Sequence, residues 1–392
     1  MTSIHETNVQ KPIESIHPNN LPEGSRDPAT SAAALQTLVE HSSKHEDVRH
    51  SIHAPMHRLE HIPFIKKLIP GIEDIASQYH IGNYVAMRGT DEKFFEGMPL
   101  YPRIGMHLLY YGGTQIKILH NHDVEGVLKS MSIRQGEHYD APESVKSIPS
   151  FVDTYSIQLD ELEEPDMAKY KSFNDFFHRK LKPGSRPVQN EDNPKGICSA
   201  ADCRLTVYQT VDLAKQFWIK GTHFTIPSLL NVAPDSEIAK TFENANLASF
   251  RLAPADYHRF HSPVDAILGN TIDIPGQYYT VNPQAVNEPG FDVFTMNRRA
   301  VLYMTHQATG SPIAFVAIGA MLVGSIVWTK GSKQGETVKR GEELGYFAYG
   351  GSTVVVLFPK GLMEFDSDLV ANSEKPIETL MKVGYSVGNV AQ

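Results

Sequence analysis

The chain has 392 residues, of which 41% are hydrophobic and 21% charged, and a formal net charge of −9. That length allows two or three domains with a sizeable core, and the acidic balance argues against nucleic-acid binding and gives no help to electrostatic docking on an anionic membrane, leaving only a local basic patch for it. Two cysteines, Cys198 and Cys203, exclude a disulfide framework and are too few for a zinc centre, which points to a reducing, intracellular compartment.

Residues 1–50 are polar and rich in His, Ser, Asn and Pro, the composition of a disordered tail, with one short helix predicted around Ala32–Val39. No charged-then-apolar signal pattern opens the chain. The uncharged, mostly apolar stretch Ile313 to Thr329 is too short for a spanning helix, and its glycines and β-branched residues suit strands better. Any membrane contact is therefore expected to be peripheral. In residues 62–79 the apolar positions Phe64, Ile65, Leu68, Ile69, Ile72 and Ile75 recur at helical spacing, interrupted at Pro70-Gly71. This amphipathic helix is expected to pack on the core, with a lipid surface as the minority reading. Residues 99–134 continue in helical style, with Gly112-Gly113 separating two helices. His120 and His122 do not share a helix face, so a solvated surface is favoured there over a metal site. Ser172 is a good N-cap with Asp175 three residues on, and Pro183-Gly184 is expected to stop that helix after Leu181. Residues 51–190 thus read as a mainly helical N-terminal region.

From residue 191 to 392 the texture changes to short apolar runs punctuated by glycine and proline, as in β-sheet. Two segments, 263–283 and 321–349, share a strand-turn-glycine pattern that resembles a duplicated small β-sandwich module. The fold class expected is α+β: a helical N-terminal region followed by a mainly β catalytic domain.

The densest polar cluster is FRLAPADYHRFHSPVD, residues 250–265, with His258 and His261 three apart. Histidine titrates near neutrality and is the default general acid or base. Upstream, Asp202 immediately precedes an apolar run; downstream, Gly350-Gly351 leads into Ser352 and a β-branched strand. Taken alone, the glycine pair is an ordinary tight turn. Together, Asp202, a histidine and Ser352 supply an acid, a base and a hydroxyl nucleophile, the logic of a Ser-His-Asp hydrolase. Against a hydrolase, Val354 stands where a G-x-S-x-G elbow needs its last glycine. No HExxH or CxxC arrangement supports a metal centre, and none is expected.

Several long motifs occur in order: IGMHLLYYG, YKSFNDFFHRKLKPGSRPV, SAADCRL, WIKGTHFTIPSLL, FRLAPADYHRFHSPVD, IPGQYYTVNP and VKRGEELGYFAYGGSTVVVLF. Through them the region from about 96 to 365 resembles the phosphatidylserine decarboxylases, most closely the eukaryotic, non-mitochondrial branch without its C2 domain. The resemblance implies a proenzyme that cuts itself between Gly351 and Ser352. Ser352 attacks the Gly351 carbonyl, the resulting ester eliminates across the serine Cα–Cβ bond, and the residue left behind becomes a pyruvoyl group. That built-in cofactor forms a Schiff base with the substrate amine and accepts electrons as CO2 leaves. The family's self-cleavage triad maps onto Asp202, His261 and Ser352, and His258 resembles the histidine placed near the pyruvoyl group. The bacterial Asn-Glu-Arg element stands here as Asn297-Arg298-Arg299, with Ala200 in place of a common Pro and Ala266 in place of a common Gly.

The implied reaction converts phosphatidylserine to phosphatidylethanolamine and CO2. Two alternatives stay open: the same chemistry on a free amino acid, as in aromatic amino acid decarboxylases of secondary metabolism, and a hydrolase without self-cleavage. A non-catalytic binding protein with a degenerate site is least favoured. The expected partners are an aminophospholipid or amino acid, a peripheral membrane surface, the other half of the cut chain, and a second copy in a homodimer. The expected location is cytoplasmic or peripheral on an endomembrane.

Overall fold

The computed structural model describes residues 82–90, 92–97, 130, 133–134, 136–217, 219, 224–279, 281, 286, 292–320, 325–348, 352–375 and 377–391. The helices expected around 32–39, 62–79 and most of 99–134, and the glycines at 350 and 351, lie outside these residues. The strands are β1 (Gly82–Met87), β2 (Lys93–Gly97), β3 (Gly196–Cys198), β4 (Cys203–Tyr208), β5 (Asn246–Leu252), β6 (Arg259–His261), β7 (Ala266–Ile274) and β8 (Arg299–His306). They continue with β9 (Pro312–Ile318), β10 (Ser325–Trp328), β11 (Thr337–Val338), β12 (Glu343–Ala348), β13 (Ser352–Phe358), β14 (Met363–Phe365), β15 (Glu378–Met381) and β16 (Ser386–Val390). The α-helices that lie wholly within the described residues are α1 (Ile148–Tyr155), α2 (Phe173–Phe177), α3 (Val211–Phe217), α4 (Ile226–Leu230), α5 (Glu237–Thr241), α6 (Val293–Met296) and α7 (Ser367–Ser373).

Ten strands form one sheet in the order β11-β7-β8-β9-β13-β5-β4-β15-β1-β2. Neighbours run antiparallel except β1 and β15, which are parallel. Two three-stranded sheets, β10-β12-β6 and β14-β16-β3, complete the α+β architecture. At the centre, β13 is buried along its whole length, because its β-branched run is covered on both faces. Towards the edge, β7 alternates buried and exposed positions, and Ile267 and Ile272 lie among the exposed ones.

An aromatic group holds the sheet β10-β12-β6 against the large one. Phe260 of β6 packs on Phe315 of β9 at 5.6 Å, on Phe347 of β12 at 5.0 Å and on Trp328 of β10 at 5.2 Å. Such a buried ring contributes roughly 2–3 kcal/mol of apolar burial. Gly345 makes that approach feasible, since a Cβ there would lie 2.3 Å from the Val327 carbonyl oxygen and 2.7 Å from the Phe260 ring.

Three sequence expectations turn out differently. Residues 82–97, within the span read as mainly helical, form a hairpin that pairs onto the large sheet through β15. The two look-alike segments take different structures: 266–274 is one long strand, whereas 325–348 contributes β10 and β12 to a small sheet and β11 to the large one. Local strand-turn-glycine texture does not encode which sheet a strand joins. Ser172 does cap α2, accepting from the Asp175 N–H at 3.1 Å, but α2 stops at Phe177 rather than Leu181. The reason is tertiary: the His178 carbonyl is taken by Arg259 Nε at 2.8 Å, and Leu181 bridges to Leu162.

Candidate active site

Ser352 is the first residue of β13, between β9 and β5, and is fully buried. Its Oγ lies 3.5 Å from His258 Nδ1. His258 comes from the turn between β5 and β6. In that turn Ala253 N–H donates to Asp256 Oδ2 at 2.7 Å, and Asp256 N–H donates back to the Ala253 carbonyl at 2.9 Å. The same carbonyl lies 3.0 Å from His258 Nε2. A carbonyl can only accept, so Nε2 carries the proton and the Nδ1 lone pair faces the Ser352 hydroxyl. The His258 main-chain carbonyl also accepts from Phe347 N–H at 2.9 Å. His258 therefore holds the strand that leads into residues 349–351 with its backbone, and the residue that follows them with its ring.

His261 stands on β6, its main-chain N–H donating to the Ala200 carbonyl at 2.7 Å. Its Nδ1 faces the Gly341 carbonyl at 2.8 Å and therefore donates, leaving Nε2 to accept from the Tyr257 hydroxyl at 3.3 Å. Burial holds this imidazole below its ordinary pKa, against the Gly341 carbonyl and the Glu343 and Asp202 charges, which favour the proton. Asp202 is buried and takes Arg186 on both oxygens, with Nε at 3.0 Å from each and Nη2 2.6 Å from Oδ2, and accepts from Val383 N–H at 2.9 Å. Arg186 continues to Glu161 at 2.8 Å. The structure thus brings His258 to Ser352, and places Asp202 within charge range of His261 but hydrogen-bonded to Arg186 and Val383.

Sequence reading missed a buried ion ladder beneath the site. Arg204 of β4 and Arg251 of β5 are directly opposed in the strand pairing, where two like charges repel. Arg251 binds Glu378 of β15 at 2.5 Å and Glu96 of β2 at 2.9 Å, while Arg204 binds Glu96 at 2.5 Å and Asp256. Burial would raise the Glu96 carboxyl, but the two guanidiniums hold it down at about 2. The ladder ends on Asp256, hence on the turn that carries His258. Acidic and basic residues inside otherwise apolar strands were the only sequence signal for it.

Asn297 is a clamp: Nδ2 donates to the carbonyls of Tyr279 at 2.8 Å and Gly319 at 2.9 Å, and Oδ1 accepts from Tyr279 N–H at 2.9 Å. Arg299 donates to four main-chain carbonyls, those of Ser228, Leu229, Thr295 and Asn297, and so pins α4 and the end of α6 to β8. A cavity of about 330 Å³ lies among α3, α4 and α5, lined by Val211, Lys215, Phe224, Ile226 and Glu243 among others, and none of Asp202, His258, His261 and Ser352 lines it. Cys198 and Cys203 are buried free thiols. Among the described residues no cluster of three or more His, Cys, Asp or Glu could hold a metal ion.

Comparison with known proteins places these residues in context. The family model described as phosphatidylserine decarboxylase matches residues 173–389. The chain is 44% identical over 305 residues to phosphatidylserine decarboxylase proenzyme 2 of Komagataella phaffii, covering 78% of this chain and 29% of that one. It is 43% identical over 304 residues to proenzyme 3 of Schizosaccharomyces pombe, covering 78% and 30%. With the phosphatidylserine decarboxylase proenzyme of Fusobacterium nucleatum it shares 39% identity over 261 residues, covering 67% of this chain and 84% of the bacterial one. The chain thus spans less than a third of these two fungal relatives and most of the bacterial one.

Proposed function

The chain belongs to the phosphatidylserine decarboxylase family, and we propose that it is a proenzyme that cuts itself before Ser352 and then converts phosphatidylserine to phosphatidylethanolamine and CO2. The observation that carries this reading is the burial of Ser352 with its hydroxyl on His258. A serine enclosed at the head of a central strand is poorly placed to attack an external acyl group, as a hydrolase requires. The peptide bond that precedes it, by contrast, is adjacent by covalent connection, so burial favours an intramolecular attack.

The residues fit the pyruvoyl group that family membership implies. Ser352 supplies its carbon skeleton, and His258 is a proton carrier at the atom where it would form. Once formed, the group supplies the electron-accepting carbonyl that decarboxylation needs. Self-cleavage belongs to Asp202, His261 and Ser352, as the motif mapping implies. Burial holds the His261 imidazole below its ordinary pKa, so it is available as a base, while the Glu343 and Asp202 charges favour the proton it takes up. His258, its lone pair directed at Ser352, holds or delivers a proton there in the processed enzyme. Both imidazoles are shielded from bulk water, which strengthens their electrostatic coupling to the site.

The substrate is phosphatidylserine, met at a membrane surface by peripheral contact; no helix among the described residues is long and apolar enough to cross a bilayer. Denaturing mass spectrometry tests the reading. Two chains split before residue 352, the shorter carrying a ketone in place of its N-terminal amine, are expected; one intact chain would overturn it. A CO2-release assay with phosphatidylserine vesicles against free amino acids then tests the substrate, with release from the vesicles alone expected.

A further inference from the structure

The end of α2 crosses the His258 turn at three places. Phe177 is fully buried, and its ring is stacked on the His258 imidazole with centroids 3.9 Å apart and planes at 27°. The two ring nitrogens of His258 are engaged along the edge by Ser352 and Ala253, so Phe177 covers a face. Phe177 is itself backed by Phe151 at 6.4 Å and Phe173 at 6.3 Å. Next, the His178 carbonyl accepts from Arg259 Nε, one residue past His258. Finally, Arg179 sends Nη2 to the carbonyls of Ala255 at 3.1 Å and Asp256 at 3.3 Å, inside the turn.

Arg179 is an expensive way to hold a loop. It is 5% exposed and makes no ion pair among the described residues, and its Nε–H is buried without a partner. Burial drags its pKa down to about 10, against the Asp202 and Asp256 charges, which favour the guanidinium. A neutral or apolar side chain would fill this space at a lower desolvation cost, but without donors for the turn. What the fork does supply is two donors converging on successive carbonyls of the turn that presents His258.

We propose that Phe177 and Arg179 are positioning residues for His258: the ring fixes the plane of the imidazole, and the guanidinium fixes the turn whose Ala253 carbonyl selects its tautomer. The inference rests on the reading of His258 as the imidazole that works at Ser352. Its test is NMR of 15N-histidine-labelled protein carrying Ser352→Ala, a background in which the signal does not depend on self-cleavage. His258 is expected as a single Nε2–H tautomer with ring protons shifted upfield by Phe177. Phe177→Leu should abolish the upfield shift, and Arg179→Met should mix the tautomers; Arg179→Lys, which keeps a donor, should restore the tautomer in part. Phe177→Met and Arg179→Gln replace any variant that does not fold. In the chain with Ser352 intact, Phe177→Leu should lower kcat on the order of tenfold or more with KM unchanged, the signature of lost orientation rather than lost binding. Unaltered His258 signals in the folded variants would overturn the proposal. Altered signals in a protein whose Ser352 parent neither cuts itself nor releases CO2 would leave the positioning intact and sink the family activity instead.

Discussion

At the residue scale the site is a problem of two imidazoles. His258 touches Ser352, whereas His261 faces Tyr257 and senses Asp202. Ser352→Ala and His261→Ala are expected to leave the chain uncut, while His258→Ala should cut itself and then lose CO2 release by on the order of 100-fold. Gel electrophoresis and the CO2 assay read the two steps separately; efficient cutting of the His261 variant would transfer the base role to His258. The pH dependence follows from burial. A base must be neutral to act, and the His261 pKa lies below its ordinary 6.5 in the fold. The self-cleavage rate should therefore hold through neutral pH and decline only below 6.5. An acid limb at or above that value would show that His261 does not limit the rate. All four residues were visible in the motifs. That His258 lies near the pyruvoyl position came only from the resemblance, because three residues of separation on the β5–β6 connection do not specify which way each ring points.

At the element scale the strands are set by composition, and their partners by charge and packing. The run STVVVLF reads as a buried strand from its β-branched residues alone, and β13 is that strand. The opposition of Arg204 and Arg251 is a matter of register, invisible until β4 and β5 are paired. It is tolerated because Glu96, Glu378 and Asp256 converge from three other segments. Glu378 is buried, so Glu378→Gln would leave Arg251 undercompensated and should cost about 3 kcal/mol. Urea unfolding of the uncut Ser352→Ala chain measures it; a loss no larger than that of an exposed ion pair would mean the ladder is solvated in solution. Asp256 links this ladder to the His258 turn, so the same variant is expected to slow CO2 release in the processed protein.

At the scale of the whole molecule, the proposed cut before Ser352 would divide the chain without dividing the fold. Residues 352–392 contribute β13 between β9 and β5, β15 between β4 and β1, and β16 between β14 and β3. After cleavage both pieces should co-elute in size-exclusion chromatography and separate only in denaturant; loss of the shorter piece under native conditions would overturn the interleaved topology. The same interleaving means that Ser352 meets His258 only once β5, β9 and β13 have assembled, so the proposed cleavage would follow folding. By itself, the sequence determined the α+β class, the strand character of the second half and the N-cap at Ser172, and its motifs singled out Asp202, His258, His261 and Ser352 as candidates. These are local properties, carried by side-chain type, spacing and motif. Only the tertiary structure decided the contact of His258 Nδ1 with the Ser352 hydroxyl, the capture of Asp202 by Arg186, the joining of the 82–97 hairpin to the main sheet and the stacking of Phe177 on His258. Each depends on strand register and sheet order, which arise from summed packing over the whole chain and have no signature in any single stretch of it.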